Sequence, residues 1–284
     1  MRKLRSQSAM EYLMTYGWAI LIIAVVLAVL FQLGVFSSGN FQPHAQAGAC
    51  QVSRTIAGVS LEGKCNGMLP QYVAQFTSSS QITIPDSSSL DISGNQVTIS
   101  FWVNLHSLGG QSGPVVIKGS GSYVMFGYDK PSWNTGLADE WQMGVLISGT
   151  QVYSGISASN PYDTWLYVVG TYNDVSISTY IDGSLSASNP YTGTITQSAG
   201  ALGFDNGGLN FKISNVQIYN TSLSSSEIQA LYLEGIGGAP IRPQNLVGWW
   251  PLNGNANDYS GNGNNGQLNS VTFSSSWENG YTAP

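Results

Sequence analysis

Few residues in this 284-residue chain could carry chemistry, and the adjacent acids Asp139 and Glu140, beside Trp141, come first. Glycoside hydrolysis needs two carboxyl groups flanking one sugar at a defined separation. Neighbouring acids on a turn are expected to be solvated instead, so catalysis is not the expectation. Two histidines, His44 and His106, support no Ser/His/Asp grouping. The run Asp258-Tyr-Ser-Gly-Asn-Gly-Asn-Asn-Gly266 offers Asp258, Asn262 and Asn264 as hard oxygen ligands for calcium. The same run also reads as an Asn/Gly turn that tolerates left-handed backbone. Trp102 stands opposite the apolar face of its segment, and Trp133, Trp141 and Trp277 lie in or near polar Gly/Asn/Ser stretches. Each ring either stacks on a sugar or packs in a core. Asn220-Thr221-Ser222 is an N-glycosylation acceptor if its loop is exposed.

Composition bounds what must position these residues. Nine Lys and Arg against 15 Asp and Glu give a net charge of −6, and only 8% of residues are charged, against roughly 25% in an ordinary domain. With 42% hydrophobic residues and 34 Gly, the chain is no charge-solvated disordered tail, and it lacks the basic surplus of a nucleic-acid binder. Neutral polar side chains must keep it in solution. The length allows one large β domain or two small ones.

No charge falls between Gly17 and Phe36, and Trp18 to Phe31 is almost wholly aliphatic. As a helix, this segment is long enough to cross the roughly 30 Å hydrocarbon core. Arg2, Lys3 and Arg5 precede it, which places the N-terminus in the cytoplasm and everything after Phe36 outside. A secretory signal is the other reading, but its apolar core usually runs only about 7–15 residues. Gly39, Pro43 and Gly48 mark a linker, and residues 37–66 are expected to form a stalk with Cys50 and Cys65. Outside the cytoplasm, a disulfide closing that loop contributes on the order of 3 kcal/mol. The pair otherwise reads as two buried thiols, and zinc would have to recruit both histidines.

The junction Arg5-Ser6-Gln7-Ser8-Ala9-Met10-Glu11-Tyr12-Leu13 resembles the class III signal of archaeal type IV prepilins. The resemblance covers about the first 36 residues. It implies a leader of residues 1–6 removed by a prepilin peptidase between Ser6 and Gln7, and a retained helix over residues 7–36. It also implies that Glu11 meets the α-amine of a neighbouring pilin-like subunit in a filament. Alternatively, Glu11 is an interfacial residue reaching the headgroups. Loss of the leader leaves six basic residues against fifteen acidic ones.

From Tyr72 onward, short alternating segments are separated by Gly, Ser, Asn and Pro. Val97, Ile99, Phe101, Val103 and Leu105 share one face of a strand, with Thr98, Ser100 and Asn104 on the other. Val175 to Ile181 alternates similarly and ends at Asp182-Gly183, a tight hairpin turn. Trp165 to Tyr172 is apolar on both faces and reads as a central strand. Ser224-Ser-Ser-Glu227 has capping-box spacing ahead of Ile228, Leu231 and Tyr232, which predicts one short helix. The fold class expected is therefore mainly β, a two-sheet antiparallel sandwich behind a transmembrane helix.

In order, Tyr72–Phe76, Ile82–Pro85, Val97–Val103, Trp165–Tyr172, Thr179–Gly183, Ile213–Asn220 and Leu223–Tyr232 resemble the laminin-G-like, concanavalin-type jelly roll. Gly248-Trp-Trp-Pro-Leu-Asn253 and Asp258 to Gly266 resemble the segment with which such domains begin, yet here they follow the final helix. The resemblance implies a circularly permuted domain over residues 67–284, closed by C-terminal strands in 246–284. The rival is a strand donated to a neighbouring subunit. Members of the related family sometimes bind calcium. The function expected is a cell-surface, pilin-like or anchored protein, extracellular beyond its membrane helix, displaying a jelly roll for adhesion or glycan binding. The alternatives are an anchored enzyme acting on polysaccharide and an anchored lectin that never polymerises.

Overall fold

The computed structural model describes residues 16–17, 19–26, 69–77, 79–106, 112–132, 136–205 and 208–284. Ser6, Gln7, Glu11, Cys50, Cys65 and Trp133 lie outside the described residues. Residues 1–44 form one unit and residues 45–284 another. In the first unit, residues 19–26 are helical, and Ile20, Leu21, Ile22 and Ile23 are exposed. Among the described residues, no helix is long and apolar enough to cross a membrane.

The second unit is built from β1 (Val73–Phe76), β2 (Gln81–Ile84), β3 (Val97–His106), β4 (Ser112–Lys118), β5 (Tyr123–Ser132), β6 (Gly136–Ile147) and β7 (Thr150–Tyr153). There follow β8 (Trp165–Tyr172), β9 (Ser176–Ile181), β10 (Ser184–Pro190), β11 (Leu202–Asp205) and β12 (Asn210–Tyr219). Beyond the helix Ser225–Glu234 lie β13 (Leu246–Trp250), β14 (Gln267–Asn269) and β15 (Thr272–Ser274). One sheet, A, has the order β10-β9-β8-β3-β12-β1-β15, with β13 also on β12, and the other, B, the order β14-β2-β11-β4-β5-β6-β7. Every strand pairing among the described residues is antiparallel.

Local chemistry explains several elements. Strand β8 is buried along its whole length, as a central strand with no polar alternation must be. The hairpin β9–β10 turns at Asp182 (φ 49°) and Gly183 (φ 77°), the positive pair that matches strand twist. The Ser224 hydroxyl and Glu227 carboxylate cap each other's backbone N–H groups at the helix start, and Ile228 and Leu231 are buried.

Apolar packing forms two layers. Between the sheets, Phe76 stacks on Phe211 at 4.8 Å, and Phe101 meets Trp141 edge-on at 5.6 Å. A second cluster covers the outer face of sheet A, where Trp102, Trp165, Trp249 and Trp277 pack with Ile228 and Leu231 of the helix. This cover encloses the polar side of β3 as well, so the strand is buried from Val97 to Leu105.

The C-terminal strands pair within the same chain. Strand β12 holds β1 along Phe211–Ile213 and β13 along Val216–Tyr219, so β13 takes the part of the edge that β1 leaves open. Strand β15 pairs β1 and β14 pairs β2, which extends both sheets.

One cation is enclosed in this frame. Lys118 is 1% exposed, and its Nζ donates to Asp86 Oδ1 at 2.5 Å and to the Gly200 and Ser198 carbonyls at 2.6 and 3.2 Å, with Asp91 Oδ1 at 2.8 Å. Removing one partner of such a pair leaves uncompensated charge. Lys118→Met is expected to lower unfolding free energy by about 3 kcal/mol in denaturant titrations, the low end of the range because both carboxylates keep contact with water. The Asp86 carboxyl is held below its ordinary value of 3.8, chiefly by the Lys118 hydrogen bond. Its contribution is therefore complete above that value and is lost as pH falls through the lowered one, so acid unfolding of the wild type and of Lys118→Met should converge.

Candidate functional site

The tryptophans expected to stack on sugars are inside. Trp102, Trp141 and Trp277 are 1%, 0% and 2% exposed. Trp102 stacks on Tyr232 at 5.8 Å and meets Tyr281 edge-on at 5.5 Å, because the helix and the C-terminal segment cover its side of β3. Trp141 faces Phe101 between the sheets. Trp277 donates from Nε1 to the Pro70 carbonyl at 3.0 Å and accepts at its own carbonyl from Trp165 Nε1 at 2.8 Å, which ties the C-terminal segment to the start of the sandwich. None of the three offers a ring plane to a ligand.

The calcium candidates are likewise committed to the fold. The Asp258 carboxylate accepts from the Trp249, Ser260 and Asn264 backbone N–H groups at 2.8–3.0 Å and from the Ser260 hydroxyl at 2.9 Å. Asn262 Nδ2 donates to the Leu246 and Val247 carbonyls at 3.0 and 2.7 Å. Asn264 Oδ1 accepts from Ser87 and Ser89, and its Nδ2 donates to the Val247 carbonyl. The loop is thus an Asx network that carries β13, with its polar atoms turned to protein partners. Among the described residues, no group of three or more His, Cys, Asp or Glu could hold a metal ion. Asn220 is exposed in the turn between β12 and the helix.

Asp139 and Glu140 are consecutive residues of β6, and consecutive positions of a strand serve opposite faces of a sheet. The Asp139 side chain lies outside what the structure describes. Glu140 accepts a hydrogen bond from Ser159 Oγ at 2.9 Å.

What alternation does bring together is a strip of rings on the outer face of sheet B. Trp141, Met143 and Val145 of β6 are buried, so Glu140, Gln142 and Gly144 belong to the outer face. The register sets Tyr128 beside Glu140, Phe126 beside Gln142 and Tyr153 beside Gly144. Phe126 lies 6.4 Å from Tyr128 and 6.0 Å from Tyr153, ring centre to ring centre. Tyr153 is 37% exposed and the other two are half-buried. Tyr128 OH donates to Gln142 Oε1 at 2.7 Å. Burial first, then the neighbouring Tyr153 and Glu140, raise the Tyr128 phenol above its ordinary value, which keeps it a neutral donor.

Gly144 makes the strip close-packed. A Cβ there would stand 2.8 Å from Tyr153 Cε1 and 2.9 Å from Gln151 Nε2. The absent side chain lets the Tyr153 ring lie over the strand. The result is three rings edged by the amides of Gln142 and Gln151 and one carboxylate, Glu140. Apolar planes with a few oriented polar groups suit a ligand with C–H faces and hydroxyl rims. The signal was in the sequence, since Phe126, Tyr128 and Tyr153 alternate with buried residues. It passes unnoticed when tryptophan alone is taken as the sugar-stacking residue.

A second concavity, between Trp249, Tyr259, Pro251, Leu69 and Ile236, measures about 70 Å³. Its amides are engaged: Asn253 Oδ1 accepts from Tyr72 N and Asn215 Oδ1 from Trp249 Nε1.

Core and face are separable by stability. Trp141→Ala is expected to cost about 3–5 kcal/mol, whereas Tyr153→Ala on the exposed strip should cost under about 1 kcal/mol. Urea titrations of the two variants check this, and equal losses would count against the assignment of faces.

The Laminin_G_3 family, described as the concanavalin A-like lectin/glucanases superfamily, matches residues 76–229. No curated protein matches the chain. Among solved structures, a candidate carbohydrate-binding protein from Bacteroides ovatus ATCC 8483 is 14% identical with a TM-score of 0.55, over 72% of this chain and 60% of that one. The heptameric SAP-like pentraxin of Limulus polyphemus is 12% identical with a TM-score of 0.45, over 69% of this chain and 94% of its own. The binding domain of Paraclostridial Mosquitocidal Protein 1 is 16% identical with a TM-score of 0.45, over 70% of this chain and 49% of its own. At these identities the likeness to the Bacteroides protein speaks for the fold, and this chain spans 60% of its length. Because the family match covers more than half of the 284 residues and falls on the two-sheet sandwich, the chain belongs to the Laminin_G_3 family of concanavalin A-like domains.

Proposed function

We propose that this is an exported, membrane-anchored surface protein whose sandwich binds glycan on the outer face of sheet B. The observation that carries the binding half is the strip Phe126, Tyr128 and Tyr153 with Gln142 and Gln151 beside it. Pyranose rings present C–H faces that pack on π-systems, while their hydroxyls exchange hydrogen bonds with amides. Membership of a lectin and glucanase superfamily supports the reading, as does the shared fold with a protein described as a carbohydrate-binding candidate. Binding is preferred to catalysis because Asp139 and Glu140 are consecutive on one strand and so belong to opposite faces.

The anchoring half rests on sequence. An uncharged aliphatic run follows Arg2, Lys3 and Arg5, and Ser6, Gln7 and Glu11 stand where the end of a prepilin-type leader, the new N-terminus and the carboxylate of the fifth mature residue stand in that class. In this reading a prepilin peptidase removes residues 1–6, the helix within 7–36 stays in the membrane or joins other pilin-like subunits, and a disulfide closes Cys50 to Cys65. The sandwich then faces the exterior.

Two measurements test the halves separately. On a glycan array, Tyr128→Ala and Tyr153→Ala are each expected to reduce binding at least tenfold, about 1.4 kcal/mol, with unchanged circular dichroism; undiminished binding in both would remove the strip from the function. Mass spectrometry of the protein from its native membrane is expected to find Gln7 as the first residue. A chain beginning at Met1 or beyond Phe36 would contradict the anchor.

A further inference from the structure

Asn220-Thr221-Ser222 is the one Asn-X-Ser/Thr sequence in the chain, although Ser, Thr and Asn are abundant throughout. It falls in the exposed turn between β12 and the helix. The structure holds this turn in a particular way. Asn220 N donates to the Asn245 carbonyl at 3.0 Å, and Asn245 Nδ2 donates to Asn220 Oδ1 at 3.0 Å. With its oxygen engaged, the Asn220 amide nitrogen Nδ2 makes no hydrogen bond among the described residues. Gln96 Oε1 accepts from Thr221 Oγ1 at 3.1 Å and from Ser222 N at 3.3 Å, which presents the tripeptide as a fixed turn.

Beside it lies a polar cavity of about 290 Å³, and Asn220 forms part of its wall. Ser88, Ser89, Ser93, Asp91, Gln244 and Asn262 supply the rest of its polar lining, beside a smaller apolar part. Hydroxyls, amides and a carboxylate make up most of its wall, and no aromatic ring is among the lining residues. The hydroxyls and amides of such a lining exchange hydrogen bonds with a polyhydroxylated ring, and Ile92, Leu246 and Val247 give its C–H face apolar contact.

We infer that Asn220 is the attachment point of an N-linked glycan whose first sugar lies in this cavity. The inference rests on the exported reading above, because the sugar donor must meet the chain outside the cytoplasm. The donor class is a glycan carried on a lipid phosphate or pyrophosphate. In the transfer, Asn220 Nδ2 bonds to sugar C1, the bond from C1 to the donor's phosphate oxygen breaks, and the lipid phosphate leaves with both electrons of that bond. The proton displaced from Nδ2 passes to a base of the transferase, and nothing is oxidised or reduced.

The site differs from the ring strip in role: the strip would bind another molecule's glycan, while this turn carries the protein's own. Mass spectrometry of peptides spanning Asn220, from protein recovered at the native cell surface, tests the assignment. A glycan mass increment on Asn220 is expected, absent from both Asn220→Gln and Ser222→Ala, with circular dichroism showing that the variants fold. Bare Asn220 on surface-recovered protein overturns the inference and leaves the ring-strip reading to its own test. Hydrogen exchange tests the seat of the sugar: amides around Gln244 to Leu246 should exchange more slowly in the glycosylated protein than in Ser222→Ala, which lacks the glycan but keeps the Asn220–Asn245 hydrogen bond. Equal rates there would overturn the placement of the sugar in the cavity.

Discussion

The register between β5, β6 and β7 governs nearly everything else in this protein. On a strand, odd and even positions belong to different solvents, and a slip of one residue exchanges them all. Trp141, Met143 and Val145 occupy the inner set, where Trp141 closes against Phe101. The same register places Gln142 and Gly144 outside and brings Phe126, Tyr128 and Tyr153 into contact. The core and the candidate binding surface are two consequences of one pairing. A ring worth several kcal/mol inside fixes the register strongly enough that an exposed ring strip can be afforded outside.

A second constraint acts on sheet A. Its outer face is hydrophobic enough to need a cover, and the helix, the β13 region and the segment around Trp277 provide it. Trp277 hydrogen-bonds to Pro70 across almost the whole domain sequence. The Asp258 loop serves the same purpose from the other side, since its carboxylate gathers three backbone N–H groups and carries β13 onto β12. Polar groups that read as ligands in isolation are therefore the joints of the cover. With few charges in the chain, such joints rely on amides and hydroxyls. The buried Lys118, held by two carboxylates and two carbonyls, is an exception.

Much of the sandwich was legible because its signals are local. The unbroken apolar run Trp165–Tyr172 forms β8, the Asp182-Gly183 pair turns β9 into β10, and Ser224 with Glu227 caps the helix. What sequence could not supply was burial that depends on distant segments. Trp102 follows the polar rhythm of β3, and only the folding of Tyr232 and Tyr281 over it turns an apparent surface ring into a core one. The short strand β7 carries too little pattern to be read alone, yet its Tyr153 completes the strip once β6 pairs with it. The hydrophobic N-terminal segment and the Cys50–Cys65 loop stand on sequence reasoning.

The claim that the outer face of sheet B is where this protein meets its ligand is open to direct observation. Hydroxyl-radical footprinting of the full chain, with and without the glycan it binds most tightly, reads the exposure of each ring in one experiment. The account predicts that Phe126, Tyr128 and Tyr153 become protected together while Tyr259 and Tyr191 keep their reactivity. Protection elsewhere with the three rings unchanged would contradict it.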